Sequence, residues 1–125
     1  MTQQITITVD DITLRATLND SAAARQIWDA LPITGSASVW GDEIYLDIPV
    51  SMDEAADAQA QVDVGALAFW PPGNAFCIFY GPTPVSRGQE PRAYSPVNMF
   101  GHIEDDATQL RGTRSGAAVH IEQAP

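Results

Sequence analysis

Alternating apolar and polar residues near the start of the chain predict a β-hairpin. The stretches ITITV (5–9) and ITLRATL (12–18) both follow the two-residue period of half-buried strands. Asp10 and Asp11 stand between them, and aspartate suits a tight turn. The chain is therefore predicted to open with two antiparallel strands joined by a short turn.

The period then changes to that of a helix. Four apolar positions recur at helical spacing, namely Ala24, Ile27, Trp28 and Leu31. Asp20 or Ser21 can cap the first turn, and Pro32 stands where a helix would have to end. This pattern predicts one amphipathic helix of about ten residues.

Six further stretches have strand character, in the pairs 37–40 with 43–50, 66–70 with 75–80, and 96–104 with 116–123. Gly41-Asp42 suits a turn with positive φ inside the first pair. The Pro71-Pro72-Gly73-Asn74 run has to turn inside the second pair, because prolines cannot stay in a ladder. Between the last two strands, a single helical turn capped by Asp105 or Asp106 is expected.

Two segments lack strand character. Residues 53–60 are acidic and alanine-rich, which predicts a short helical turn on the surface. Residues 81–96 contain Pro82, Pro84, Pro91 and Pro96 and predict a long loop. Long loops in small domains are usually functional or mobile.

These elements predict a mainly β protein with one domain spanning 1–125. Seven or eight short strands, one good helix and no alternation of strands with helices indicate an antiparallel barrel or sandwich. The strand AFCIFY (75–80) is apolar on both faces: Phe76, Ile78 and Tyr80 point one way, and Ala75, Cys77 and Phe79 the other. We therefore expect a closed antiparallel barrel of about eight strands with one or two short helices.

Composition excludes several classes of function. The net charge of −10 comes from sixteen carboxylates and six scattered arginines, so nucleic acid and anionic membranes are not expected partners. The chain has no lysine, which excludes Schiff-base chemistry and a P-loop. One cysteine cannot form an internal disulfide, and the first residues do not resemble a signal peptide. A cytoplasmic protein without a cofactor is expected.

Three motifs carry a resemblance to a known family: WGDEIYL (40–46), GALAFWPPGNAFCIFYGPTP (65–84) and SPVNMFGHI (95–103). Over nearly its whole length the chain resembles the cyclophilin-like single-domain proteins of bacteria and archaea, whose members are largely uncharacterised. The resemblance implies a closed eight-stranded barrel with helices at its ends. It also implies that motif residues crowd around shared structural or binding features, namely Trp40, Asp42, Glu43, Trp70, Pro71, Phe79, Tyr80, Pro84, Ser95 and Asn98.

A binding pocket is predicted between the 69–84 hairpin, the 81–96 loop and residues 40–43. Aromatic rings would form its walls, and hydroxyl groups would supply the few polar contacts that an apolar cleft needs. The predicted ligand-binding residues are Trp40, Asp42, Glu43, Trp70, Phe79, Tyr80, Thr83, Pro84, Ser95 and Asn98. A small molecule or a short proline-containing peptide is the expected ligand.

Two other functions stay open. The chain could be a prolyl isomerase with Arg92 as hydrogen-bond donor, although the segment that holds the catalytic arginine of cyclophilins has no counterpart here. It could instead be a non-catalytic module whose aromatic surface forms a homo-oligomer. Whether the protein is an enzyme is left undecided by the sequence.

The remaining reactive side chains have structural interpretations. Cys77 lies in an apolar strand, where a thiol behaves as a small hydrophobe and should resist alkylation. Asp42-Glu43 reads as a turn rather than an acid–base pair, because neighbours in a strand face opposite sides. Arg87 and Arg92 could clamp a carboxylate, but exposed arginines in a loop are also ordinary surface residues.

A repeated tripeptide offers a weak metal alternative. His102-Ile103-Glu104 and His120-Ile121-Glu122 each place a histidine and a glutamate on one face of a strand. If those strands were neighbours, His102, Glu104, His120 and Glu122 could bind zinc or another divalent ion. Solvated side chains of half-exposed strands produce the same pattern, so no metal is expected.

Overall fold

A computed structural model describes residues 3–125 as one helix and ten strands. The helix is α1 (Ala22–Ala30). The strands are β1 (Gln3–Val9), β2 (Ile12–Leu18), β3 (Ile33–Ser36), β4 (Ser38–Val39), β5 (Glu43–Asp47), β6 (Gln59–Gln61), β7 (Ala66–Trp70), β8 (Ala75–Phe79), β9 (Arg92–Ile103) and β10 (Ala118–Gln123). Two short 3-10 turns, Pro71–Gly73 and Ala107–Leu110, complete the elements.

All strand pairs are antiparallel, and nine strands form one path in the order β3-β10-β1-β2-β9-β7-β8-β5-β4. The sheet is not closed into a barrel, so the predicted closed barrel is wrong. The path ends in β3 and β4, which are consecutive along the chain and separated only by Ala37. The covalent chain, rather than a further hydrogen-bonded ladder, connects the two ends of the sheet.

The helix follows its sequence pattern. Ser21 is the N-cap, and its Oγ accepts a hydrogen bond from the amide of Ala24 at 3.0 Å. The apolar side of α1 packs on the main core, with Ile27 fully buried and Trp28 half-buried. The helix ends at Ala30, just before Pro32, as predicted.

The predicted turns are present. Gly41 has φ of +60°, and a β-carbon there would lie only 2.8 Å from Pro84 Cδ, so both conformation and space require glycine. Residues 71–73 form the 3-10 turn between β7 and β8, and Asn74 follows in the left-handed region with φ of 48°. Asp106 caps the turn at 107–110, with its side chain accepting from the Thr108 amide.

Two expectations about the middle of the chain are wrong, and one strand earlier in the chain was not predicted. Residues 53–60 form no helix, and β6 begins there and pairs with β9. β9 begins at Arg92, inside the predicted loop, which shortens that loop at its C-terminal end. β3 has no counterpart among the predicted strands, because only one of its residues, Ile33, is buried and the strand shows no clear period.

The apolar residues form two cores on the two faces of the sheet. The larger core contains the inward residues of β1, β2, β5 and β10 together with Phe76, Ile78 and Tyr80. The smaller core lies on the opposite face and contains Ala75, Cys77 and Phe79 with residues of β7 and β9. The predicted alternation in 75–80 is therefore confirmed, and the smaller core forms the base of the site described next.

No helix within residues 3–125 has both the length and the apolar character needed to cross a membrane.

Candidate functional site

An open cavity of about 290 Å³ lies on the face of the sheet that carries the smaller core. Its lining is mostly aromatic and aliphatic, and consists of Trp40, Glu43, Tyr45, Trp70, Cys77, Ala93, Tyr94 and Val97. The residues come from β5, β7, β8 and β9 and from the turn before β5. Strands that are distant in sequence therefore build one concave surface.

Strand register brings the polar residues of the cavity together. Tyr45 on β5 is paired with Cys77 on β8, and Glu43 is paired with Phe79. Side chains two residues apart on a strand share a face, so Glu43, Tyr45 and Cys77 all point to the cavity side. A carboxyl, a phenol and a thiol are thus placed side by side.

The turn before β5 adds a tryptophan beside the carboxyl. Trp40 and Glu43 exchange two backbone hydrogen bonds, with N···O distances of 2.9 and 3.2 Å. Such a pair places its two side chains on the same face of the hairpin. This arrangement puts the Trp40 indole next to Glu43, and it depends on Gly41 making the turn.

Tyr94 stands at steep angles to two other aromatic rings that line the cavity. The Tyr94 ring lies 6.3 Å from Trp40 at 68° and 6.2 Å from Trp70 at 89°, measured between ring centroids. The Trp70 indole is oriented by its Nε1, which donates to Ser95 Oγ at 2.7 Å. Tyr94 is 72% exposed and stands at the mouth, whereas the indoles are half-buried.

Glu43 is the ionisable acid of the cavity, and it is only 6% exposed. Burial raises the pKa of Glu43 from 4.5 to about 7, and hydrogen bonding with the Cys77 side chain opposes this shift. Among residues 3–125 no arginine or histidine forms a salt bridge with this carboxyl. Glu43 is therefore a carboxyl that titrates near neutral pH without a cationic partner.

Cys77 lies beside Glu43 and is 1% exposed. Burial, and then the neighbouring Glu43 carboxyl, raise the pKa of the Cys77 thiol well above its ordinary value. A thiol in this state is neutral and is a poor nucleophile. The predicted resistance of Cys77 to alkylation stays a prediction, and the burial of the sulfur supports it.

The chemistry that this arrangement allows is limited but specific. A carboxyl that titrates near pH 7 can accept or donate a proton, or can carry a negative charge that attracts a cation. The surrounding rings contribute apolar area and electron-rich faces. Within 3–125 no group of three or more His, Cys, Asp or Glu side chains is placed to hold a metal ion.

The structure brings together three of the predicted ligand-binding residues, Trp40, Glu43 and Trp70. Ser95 lies directly behind them as the hydrogen-bond acceptor of Trp70. The prediction missed Tyr45, Cys77, Ala93, Tyr94 and Val97 as lining residues. Tyr45 could have been found, because it lies two residues after Glu43 in a predicted strand and shares its face.

Other predicted residues lie elsewhere. Tyr80 is 1% exposed and packs in the larger core on the opposite face. Phe79 is fully buried in the smaller core rather than in the cavity wall. Thr83 Oγ1 donates to the carbonyl of Arg92 at 2.5 Å, which ties down the loop, and Pro84 contacts the turn at Gly41.

Asp42 faces away from the cavity, as expected for the neighbour of Glu43 in an extended segment. Its carboxylate lies 3.5 Å from Arg111 Nε, and its backbone bonds to Tyr80 and Pro82. The interpretation of Asp42-Glu43 as a turn accounts for Asp42. Glu43 also lines the cavity, and the turn interpretation does not account for that.

Asn98 also lies outside the aromatic cavity. Its Nδ2 donates to the carbonyl of Asp53 at 2.9 Å, and its Oδ1 accepts from the Ala55 amide at 2.7 Å. The amide therefore anchors the segment that precedes β6. Asn98 does line a second, more polar concavity between that segment and the start of α1.

Arg92 bonds to side chains of the preceding loop and of β6. Its Nε lies 3.1 Å from Glu90 Oε2, and its Nη2 donates to Gln61 Oε1 at 3.1 Å. Neither Arg92 nor Arg87 lines the cavity. The carboxylate clamp that these arginines could have formed is thus not assembled in this structure.

The histidine and glutamate pairs are too far apart for a shared metal. His102 lies at the end of β9 and Glu104 directly follows that strand, while β10 carries His120 and Glu122, and β1 and β2 lie between the two strands. Three strand spacings separate the two strands by about 14 Å. The premise that the two strands are neighbours is therefore wrong.

Comparisons with known proteins agree with the fold. The family model described as Cyclophilin-like matches residues 3–122. The chain is also similar to a hypothetical protein of Archaeoglobus fulgidus whose solution structure is known, with 33% identity, a TM-score of 0.82, and coverage of 98% of this chain and 95% of the other. A search of curated proteins found no match. With a match over nearly its whole length, this chain belongs to the cyclophilin-like family.

Proposed function

We propose that the protein binds a small organic molecule in the cavity lined by Trp40, Glu43 and Trp70. The observation that carries this proposal is a buried carboxyl without a cationic partner at the base of an open aromatic cleft. Burying a charged carboxyl without a cation costs stability, and binding sites are where this cost is commonly tolerated. A bound ligand would complete the interactions of the carboxyl.

The dimensions of the cavity favour a small ligand over a peptide. Its volume of about 290 Å³ lies at the lower end of the range for small-molecule sites, which is roughly 300 to 1,000 Å³. The predicted short peptide would need a longer groove. The open mouth beside Tyr94 still allows one substituent of a ligand to reach solvent.

The two alternative functions have less support. An isomerase that relies on Arg92 would need this guanidinium at the cleft, whereas it is bonded to Glu90 and Gln61. An oligomerisation module would bury Trp70 or Tyr80 against a second chain, whereas Tyr80 is already buried inside its own chain. We therefore place ligand binding first and do not propose catalysis.

Tryptophan fluorescence can test this proposal selectively. The chain has three tryptophans, and Trp28 lies on α1 away from the cavity. In a Trp28→Phe variant all tryptophan emission comes from Trp40 and Trp70. We expect members of a library of small amines, alcohols, amides and carboxylic acids to change this emission in a saturable way.

The matched control carries Trp40→Phe together with Trp70→Phe and keeps Trp28 as its emitter. Ligands that change the emission of the first variant should leave the control unchanged, because Trp28 is remote from the cavity. If no compound in the library changes the emission of the Trp28→Phe variant, the proposal fails. An equal response from the control would likewise contradict binding at this site.

A further inference from the structure

The charge pattern of the cavity points to one class of ligand. The cavity is lined by one acid (Glu43), one thiol (Cys77), four aromatic residues and two aliphatic residues. No arginine or histidine is among the lining residues. Carboxylates and ring faces are both attractive to positive charge, and the chain as a whole carries −10. Nothing in the lining would neutralise an anion.

The orientation of the rings suits a bulky cation. Tyr94 stands at 68° to Trp40 and at 89° to Trp70, so its ring is oriented differently from both indoles that line the same cavity. The bond from Trp70 Nε1 to Ser95 Oγ holds one indole in place before a ligand arrives. Such aromatic cages recognise ammonium groups that carry alkyl substituents, because methyl groups spread the charge over the ring faces.

A metal ion fits this lining less well. Hard divalent cations require several oxygen ligands, and the cavity offers one carboxyl and one phenol. Zinc would need three or four nitrogen, sulfur or carboxylate ligands, and no such group exists among residues 3–125. An alkylated ammonium ion has a smaller desolvation penalty than a metal ion, and its alkyl groups contact the apolar wall of the cavity.

We infer that the cavity binds an alkylated ammonium cation, with its charge against Glu43 and its alkyl groups against Trp40, Trp70 and Tyr94. This inference rests on the proposed function and narrows it to one chemical class. A head group of the size of trimethylammonium matches the small volume, and the open side at Tyr94 lets its longer substituent leave the cavity. The bound cation then supplies the positive charge that Glu43 lacks among the described residues.

The test compares choline with 3,3-dimethyl-1-butanol, which has the same shape but a neutral carbon in place of the nitrogen. Both are titrated into the Trp28→Phe protein at pH 8 and low salt, with tryptophan emission as readout. We expect choline to bind at least about tenfold more tightly than the neutral compound, since a partly desolvated cation gains from both the rings and the carboxylate. This comparison needs no change to the cavity itself.

Two variants in the same background identify the groups responsible. Glu43→Gln should reduce the preference for choline to less than about threefold, because the charge is lost while the shape is kept. Glu54→Gln removes an equal charge from an exposed position and should keep the preference. Tyr94→Leu should weaken choline binding more than binding of the neutral compound.

The outcomes separate this inference from the proposed function. Equal binding of the two compounds, or a preference that survives Glu43→Gln, would overturn the cation inference while leaving a small-molecule site in place. Failure of both compounds to bind would also overturn it, and the wider library would then decide the proposed function by itself. A tenfold preference that depends on Glu43 would support both.

Discussion

At the scale of single residues, Glu43 is the most unusual group in the protein. Glu43 is 6% exposed and has no cationic partner among the described residues. Because burial disfavours its charged form, the stability of the rest of the fold has to offset the cost of burying this carboxylate. The ionisable groups beside it include Tyr45 on its own strand, Cys77 on β8, Asp42 and Tyr80. Burial first, and then the carboxylates of Asp42 and Glu43, raise the pKa of Tyr80 to about 12. None of them supplies a positive charge.

This environment predicts a specific pH dependence of stability. The pKa of Glu43 is about 7 in the folded protein and 4.5 ordinarily, so between these values the folded state holds a proton that the unfolded state has lost. The contribution of Glu43 to the free energy of unfolding is therefore largest below pH 4.5. It falls as the pH rises to 7 and then stays constant. The loss is on the order of 3 kcal/mol.

Urea unfolding of wild type and Glu43→Gln from pH 4 to 8 would measure this effect. We expect the wild type to lose stability relative to the variant across that window, because glutamine cannot ionise. Glu54→Gln is the control for an exposed glutamate and should show no comparable change in the difference. A difference between wild type and Glu43→Gln that stays constant with pH would contradict the raised pKa.

At the scale of elements, β9 organises the middle of the chain. It pairs with β2, β6 and β7, and it supplies Ala93, Tyr94 and Val97 to the cavity. Pro96 lies within it, at a register shift between the pairs Gln59↔Val97 and Gln61↔Arg92. A bulge tolerates proline, which has no amide hydrogen to donate to the ladder. Pro96 is therefore compatible with a strand, and its presence wrongly indicated that the loop extended to residue 96.

Asn98 on β9 should control the order of the segment before β6. Asn98→Ala removes the bonds to Asp53 and Ala55, which should cost about 1 to 3 kcal/mol. The exchange rate of the Ala55 amide should rise by more than the loss of global stability alone would cause. The measurement is amide exchange by NMR under native conditions.

A second asparagine provides the control. Asn19 also makes two side-chain bonds, to the Met99 carbonyl and the Ser21 amide, but none to residues 53–55. Asn19→Ala should lower stability while leaving the relative protection of Ala55 unchanged. Equal acceleration at Ala55 in both variants would contradict a specific anchoring role for Asn98.

At the scale of the whole molecule, a single short ladder joins two groups of strands within the sheet path. β2 and β9 pair over three positions only, from Ala16↔Ile103 to Leu18↔Gly101, and this ladder joins the two halves of the sheet path. Gly101 pairs with Leu18 on one side and Leu67 on the other. A β-carbon there would lie 2.5 Å from the Thr17 carbonyl oxygen, too close for any side chain.

Gly101→Ala should therefore lower the free energy of unfolding of the whole protein. We expect a loss of at least about 1 to 3 kcal/mol, since the backbone at the junction has to move apart. Gly88→Ala is the matched control, because Gly88 lies in the exposed loop and a β-carbon there meets only Glu90 Oε1 at 3.4 Å. Thermal unfolding followed by circular dichroism compares the two, and similar midpoints would contradict the proposed role of the junction.

Local patterns in the sequence were sufficient for most elements. The alternation in 5–9 and 12–18, the capped helix after Ser21 and the turn at Pro71–Gly73 depend on neighbouring residues, so they were predicted correctly. β3 and β6 are short and largely exposed strands that form by pairing with partners elsewhere. No local period marks such strands, which is why the sequence did not predict them.

The sequence by itself determined the β-rich class and the opposite faces of Phe76 and Cys77, because these follow from periodicity. Only the tertiary structure decided that the sheet stays open, that Tyr80 faces away from the cavity, and that Tyr94 completes its wall. Those features depend on strand register and on contacts between residues far apart in the chain. A one-residue change in register reverses the face of every side chain, and the composition of a strand does not encode its partner.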